Sequence, residues 1–238
     1  MNKNLPLIYY KEIFNRFKAN KCKLNRSFPR SYCGNHDPSF NIPSKTERKI
    51  AKDFTKKYKD ININNFIELL NILYKARTST EKGFGGKLIE YYPKLRKSID
   101  PNHIYKWLDN LNGWCEVDSI AQSTFTPNDI LYNWKKWKLV IIKLYKSKNL
   151  NKKRASLVLL TKPVRQSKDK RFLKLAFQTI DRLKFQKSIL ITKAVSWLLR
   201  DMIKNYRKDV IIYLNKNEST LPKIALRETK RKLKTGRK

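Results

Sequence analysis

From about Lys45 onward, apolar residues recur at helical intervals. Ile50, Phe54 and Tyr58 are four apart, and Phe66, Leu69, Leu70 and Leu73 form one stripe. This spacing belongs to a helix that buries one face. The same period predicts helices over residues 87–95, 102–111, 114–123, 128–145, 151–160, 170–183, 188–204, 208–214 and 223–234. Residues 128–145 join two apolar clusters, so a break is expected inside them. Strand-like alternation is nearly absent.

The punctuation fits these elements. Pro93, Pro101, Pro127, Pro163 and Pro222 sit at or near the expected helix ends, where a missing N–H does least damage. Ser44 is expected to cap the helix that follows it, with Glu47 three residues on. Residues 21–43 hold Pro29, Gly34, Pro38 and Pro43 with little periodicity, and predict an irregular connection. Short amphipathic helices joined by brief links predict an all-α fold, an α-solenoid of HEAT-like antiparallel helix pairs with a basic concave surface. No linker-like stretch divides the chain. A single domain over residues 1–238 is expected, its N-terminal part (1–44) least regular and residues 229–238 a basic tail.

Charge narrows the partners. The 238 residues carry 55 Lys+Arg against 19 Asp+Glu, a formal charge of +36, with 40% hydrophobic residues. The apolar content excludes simple disorder, and the charge calls for a polyanion. A coding bias toward Lys, Asn and Ile would also enrich Glu, yet acids are scarce. Cys22, Cys33 and Cys115 form no CxxC pair, which fits a reducing cytosol. The start, MNKNLPLIYYKEIF, has no signal-peptide core, and the longest apolar stretches, such as residues 139–142, are far too short to span a bilayer. The expectation is a cytoplasmic monomer with no membrane partner, nucleoid-associated when bound to DNA.

Three places carry candidate chemistry. Around Ile191, Val195, Leu198 and Met202 runs an apolar stripe, and Trp197 falls off it, on the side of Gln186, Lys193, Arg200 and Lys204. That tryptophan reads either as packing for a neighbouring helix or as an aromatic platform beside phosphate-binding cations. In Gly113-Trp114-Cys115-Glu116-Val117-Asp118, Trp114 and Asp118 stand one helical turn apart. Asp118 can complement a helix dipole or stabilise a developing cation. In Asn151-Lys152-Lys153-Arg154, Asn151 reads as an N-cap with three cations crowding the helix start. An anion such as a phosphate would resolve that conflict.

Other templates find no support. His36 and His103 match no metal-ligand spacing, so neither metal nor cofactor is expected. Gly83-Phe84-Gly85-Gly86 lacks the Lys-Ser/Thr ending of a P-loop and reads as a helix start. No GxSxG elbow, helix-turn-helix or zinc-finger pattern is present.

Together, these segments resemble the AlkD-like DNA alkylation-repair glycosylases. Residues 114–120 resemble their W-x-x-x-D-S segment, 153–157 their R-A/S-A/S helix, and 191–200 their K-A-I-G-W-x-L-R-E helix; 225–228 resemble the L-S-x-R-E-A close. The resemblance runs from about Glu81 to the C-terminus, extends to residues 39–52, and is poor before Pro38. It implies a solenoid of HEAT-like repeats holding alkylated duplex DNA, and removal of cationic N3- and N7-alkylated purines by a monofunctional glycosylase. It also implies that Trp114 and Trp197 flank the deoxyribose, that Asp118 is the catalytic carboxylate, and that Arg154 holds a phosphate. Lys152, Lys153, Lys193 and Arg200 are the further DNA-binding candidates, with Tyr32 as an aromatic lesion contact. Cys115 and Ser196 depart from the common pattern. The competing readings are a non-catalytic HEAT-like scaffold for damaged, bent or branched DNA, and an RNA-binding solenoid.

Overall fold

The structure is a computed structural model, and it describes residues 4–22, 34–122 and 124–236. Among them it is all-α, with no strand. Helix hairpins of the kind that build an α-solenoid follow one another along the chain. The chain divides into two compact units, Met1–Thr124 and Phe125–Lys238.

The first unit holds α1 (Leu5–Ala19), α2 (Ser44–Lys57), α3 (Ile63–Lys75), α4 (Ser79–Tyr91), α5 (Pro93–Ser98), α6 (Pro101–Trp107) and α7 (Trp114–Ala121). Its core joins Ile13 and Phe17 of α1 to Phe54, Phe66, Leu70, Phe84 and Leu88, all fully buried. Each such side chain contributes about 1.5–3 kcal/mol. Helix α1 is absent from the sequence expectations. Its buried Tyr9, Ile13 and Phe17 do follow a period of four, but the exposed Leu7 and Ile8 blur the stripe.

The N-terminal cap of α2 differs from expectation. Ser44 lies inside the helix, Pro43 precedes it, and no side chain caps it. Among the described residues, capping boxes stand at Thr78/Glu81 on α4 and at Thr126/Asp129 at the start of the first helix of the second unit. The expected helix over 87–95 is two helices, divided at Tyr92 before Pro93. Gly83, Gly85 and Gly86 lie within α4 rather than at its start. Glycine there costs up to about 1 kcal/mol per residue, and close packing explains two of the three. A Cβ on Gly85 would come within 2.6 Å of the Tyr74 ring, and one on Gly86 within 2.6 Å of the Ser119 carbonyl carbon. Helix α4 therefore meets α7 backbone to backbone.

The second unit holds α8 (Pro127–Tyr132), α9 (Trp134–Lys146), α10 (Leu150–Gln166), α11 (Lys170–Leu183), α12 (Ile189–Lys216) and α13 (Lys223–Thr235). The expected break inside 128–145 falls at Asn133. Helix α11 has the expected bounds. Helix α12 runs through both expected segments, with non-helical backbone at Tyr206 between them, whose hydroxyl donates to the carbonyls of Ser167 (2.8 Å) and Asp169 (2.9 Å). Pro163 lies near a helix end, as expected, in the last turn of α10, where Ser167 N–H still reaches its carbonyl at 2.9 Å. The basic run 230–234 belongs to α13 rather than to a free tail. Helix α10 packs against α9, α11 and α12, and α12 packs in turn against α11 and α13. Among the described residues, no helix is long and apolar enough to cross a membrane.

Candidate nucleic-acid interface and active site

Helix α7 carries Trp114, half-buried in its first turn, and Asp118, 8% exposed and four residues on. The spacing puts both on one side of the helix. Two devices fix that helix. Gly86 lets α4 approach its backbone, as above. Glu116, fully inside, accepts from Asn112 N–H at 2.9 Å and from the Asn35 side-chain amide. Asp37 pairs with Lys82 of α4 and accepts from Asn112 Nδ2 at 3.0 Å. The irregular segment after Gly34 is thus stapled to the starts of both α4 and α7. The anchoring role of Glu116 depends on Asn35, 81 residues away, and no local pattern shows it.

Burial raises the Glu116 carboxyl above its ordinary 4.5, opposed by the Asn112 N–H, Lys82 and Asn35 and assisted by Asp37. The folded protein thus holds this proton to higher pH than the unfolded chain does. The contribution to stability is fully present below pH 4.5 and declines as pH rises through the higher folded value. Glu116→Gln is expected to flatten the fall of the urea midpoint with pH above 4.5; an unchanged slope would show that the raised pKa makes no contribution. The Cys115 and Ser119 side of α7 lines a cavity of about 170 Å³ with Thr80, Lys87 and Asn35.

The other candidates lie in the second unit. The N-cap of α10 is Asn149, not Asn151, and its Oδ1 accepts from the N–H groups of Asn151 (2.8 Å) and Lys152 (3.2 Å). The helix start is therefore capped from within the chain by a neutral side chain that satisfies two of its N–H groups. Lys152 is 4% exposed and Arg154 6%. Arg154 Nη1 donates to the Leu190 carbonyl at 2.7 Å, and Lys153 Nζ lies 3.4 Å from Gln186 Oε1. The first bond ties α10 to the beginning of α12, and the second ties it to the link just before that helix.

Trp197 is half-buried on α12, with exposed Lys193 one turn before it. Its indole helps to hold down the carboxyl of Asp201, four residues on. Asp201 also faces Arg165 at 3.2 Å, and burial raises its carboxyl despite the opposing pull of Arg165, Lys232, Trp197 and Arg200. Arg200 turns inward to a small cluster. Its Nε donates to Ser196 Oγ at 3.2 Å, its Nη2 lies 3.5 Å from Glu228 of α13, and Ser196 donates to Glu228. Ser196 thus has a partner that a glycine would lack. Ser196→Ala is expected to cost about 1–2 kcal/mol, read as a lower urea midpoint with unchanged helical circular dichroism. An unchanged midpoint would show the cluster to be neutral.

The structure therefore brings Trp114 together with Asp118 in one unit, and Arg154, Lys153, Lys193, Trp197 and Arg200 onto the paired helices α10 and α12 of the other. Tyr32 lies outside the described residues. Asp201, Glu116 and Glu228 were missed by the sequence reading. Phe185 in the turn after α11 and Ile189 at the start of α12, 68% and 56% exposed, were missed as well. Among the described residues, no group of three or more His, Cys, Asp or Glu side chains could hold a metal ion.

The sequence profile of the DNA alkylation repair enzymes matches residues 13–233. The chain belongs to that family. DNA alkylation repair is its activity and DNA its partner. A solved structure, a predicted DNA alkylation repair enzyme from Enterococcus faecalis, is similar in fold, with a TM-score of 0.68 at 14% identity over 99% of this chain and 97% of that one. No curated protein matches the sequence. The family match covers α7, α10 and α12, so all the described candidates lie inside it.

Proposed function

We propose that the protein is a monofunctional DNA glycosylase of base excision repair that releases cationic N3- and N7-alkylated purines from duplex DNA. The observation that carries this reading is Asp118. It is a nearly buried carboxylate one turn from a half-buried tryptophan, on a helix held in place from two sides, in a member of the alkylation repair family.

One carboxylate suffices for this chemistry. Ordinary glycoside hydrolysis needs a second acid to protonate the leaving group. An N3- or N7-alkylpurine already bears positive charge and departs neutral when the glycosidic bond breaks. The positive charge then passes to an oxocarbenium-like sugar. In this reading Asp118 stabilises that sugar and positions the attacking water, and the indole face of Trp114 adds cation–π attraction. Arg154, Lys153 and Lys193 hold the backbone. The product is an abasic site, and no step requires a metal or cofactor.

The test is release of free 7-methylguanine or 3-methyladenine from methylated duplex DNA, with DNA carrying the uncharged O6-methylguanine as control. Release from the cationic lesions and not from the neutral one is expected. Absence of release, with tight binding retained, would leave a non-catalytic DNA-binding role instead.

A further inference from the structure

Large apolar side chains gather in the open where α10 and α12 begin. Leu150 opens α10, Ile189 opens α12, and Phe185 lies in the link before α12; all three are exposed. Two bonds bring these starts together. Arg154 Nη1, one turn past Leu150, donates to the carbonyl of Leu190, next to Ile189. Lys153 Nζ lies 3.4 Å from Oε1 of Gln186, next to Phe185. A lone exposed apolar side chain is ordinary on a protein surface, but three at one junction form a patch that the fold leaves uncovered.

The Phe185 ring is held in place. Lys184 Nζ lies 5.4 Å from the ring centroid. Lys184 is itself pinned, its side chain only 10% exposed, and it donates to Asp181 at 3.0 Å and to Asn217 Oδ1 at 2.6 Å. The backbone of the link is closed as well, with Lys184 N–H on the Ile180 carbonyl at 2.7 Å and Gln186 N–H on the Leu183 carbonyl at 3.0 Å. A side chain fixed beforehand loses less entropy when a partner arrives.

The surroundings select that partner. Lys148 and Lys187, two residues before Leu150 and Ile189, are exposed, as is Lys193 one turn after Ile189. No Asp or Glu occurs between Asp129 and Asp169, or between Asp181 and Asp201. Asp181 and Glu218, on the elements that Lys184 joins, are taken up by Lys184 and the Tyr213 hydroxyl, and by Lys230. Cations interleaved with aromatic and apolar side chains suit a nucleic-acid strand, whose charged phosphates alternate with sugar edges. Family membership makes that strand DNA.

We propose that Leu150, Phe185 and Ile189 form an apolar contact with the sugar edges of the duplex, set among the phosphates that Lys153, Lys187 and Lys193 hold. It rests on the proposed hold of the backbone by Lys153 and Lys193, but not on the glycosylase chemistry. Ile189, Lys193 and Trp197 follow at four-residue intervals on one side of α12. The contact therefore stands about 12 Å from Trp197 along the helix, roughly three to four nucleotides of strand. Phosphate contacts weaken as salt rises, whereas burial of apolar surface is not screened. The patch supplies affinity that persists at high salt and fixes the register of the duplex on α12.

The experiment titrates the full chain onto a labelled undamaged duplex by fluorescence anisotropy over a range of salt concentrations. The main variant carries Phe185→Ala and Ile189→Ala, both on exposed side chains, with its fold checked by circular dichroism and urea midpoint. Its affinity should fall about ten-fold, by the same factor at every salt concentration, so that log affinity against log salt runs parallel to wild type. Lys187→Ala, by contrast, should reduce the slope by about 0.9. Phe185→Leu with Ile189→Leu keeps apolar area and should bind within about three-fold of wild type. Unchanged affinity in the alanine variant overturns the proposal. So does a loss confined to low salt, or a leucine variant no better than the alanine one. Dimerisation without DNA, or binding to anionic lipid vesicles in preference to the duplex, either one abolished by the alanine changes, also overturns it. Failure of base release by the wild type with these binding results intact would remove the glycosylase reading and leave the apolar contact standing.

Discussion

Asp118→Asn is expected to lower the rate of 7-methylguanine release by about 10²–10⁴-fold, the range for removal of a positioned base or of a group stabilising developing charge. Asparagine keeps the size of the side chain and one acceptor oxygen, so α7 and the packing around Val117 and Ile120 should hold. What disappears is the negative charge that meets the sugar as the neutral purine departs. The loss should therefore fall on single-turnover base release, with affinity for undamaged duplex changed little and the thermal midpoint near wild type. Full activity in Asp118→Asn would remove Asp118 from the chemistry. A large fall in midpoint would instead show that the carboxylate is structural.

The second large effect is expected at Gly86. An added methyl group there would run into the backbone of α7, 2.6 Å from the Ser119 carbonyl carbon and 3.0 Å from the Ile120 nitrogen. A flexible side chain can step aside, but a helix backbone cannot, so α4 and α7 must separate. Overpacking of this kind costs about 1–3 kcal/mol and at times more. In a chain of this size that lowers the thermal midpoint by about 2–4 °C per kcal/mol. Base release by Gly86→Ala should fall too, because Trp114 and Asp118 ride on the displaced helix. Gly83→Ala is the control: a Cβ there meets nothing within 4 Å, and alanine favours the helix by up to about 1 kcal/mol. Equal destabilisation by both changes would refute the close-approach account.

These two glycines also show where sequence reading stops. A run of three glycines in four positions reads as a helix start because glycine disfavours helix locally. For Gly85 and Gly86 the reason lies in Tyr74 and in Ser119, outside the helix, while Gly83 has no such neighbour. What depends on one helix face was legible: the stripes of α3 and α11, the break at Asn133, the interruption of α12 near Tyr206, and the shared side of Trp114 and Asp118. What depends on a partner far along the chain was not. Glu116 needs Asn35, Ser196 and Arg200 need Glu228, and Arg154 needs the Leu190 carbonyl. The cap of α10 was misplaced for a local reason, since Asn149 and Asn151 are equally good caps and only the backbone of Asn149 leaves the helix.

The bond from Arg154 to Leu190 bears on how any knockout at that position is read. A guanidinium has five donor hydrogens in a rigid fork, and one arm fastens the helix that carries Trp197, seven residues farther on. Arg154→Ala would thus remove a cation and loosen an aromatic wall in the same stroke, and a dead enzyme would say nothing about which mattered. Lysine at 154 keeps the charge but lacks the fork. Its shortfall relative to wild type therefore reports the alignment of α12, and the remaining gap to alanine reports the charge.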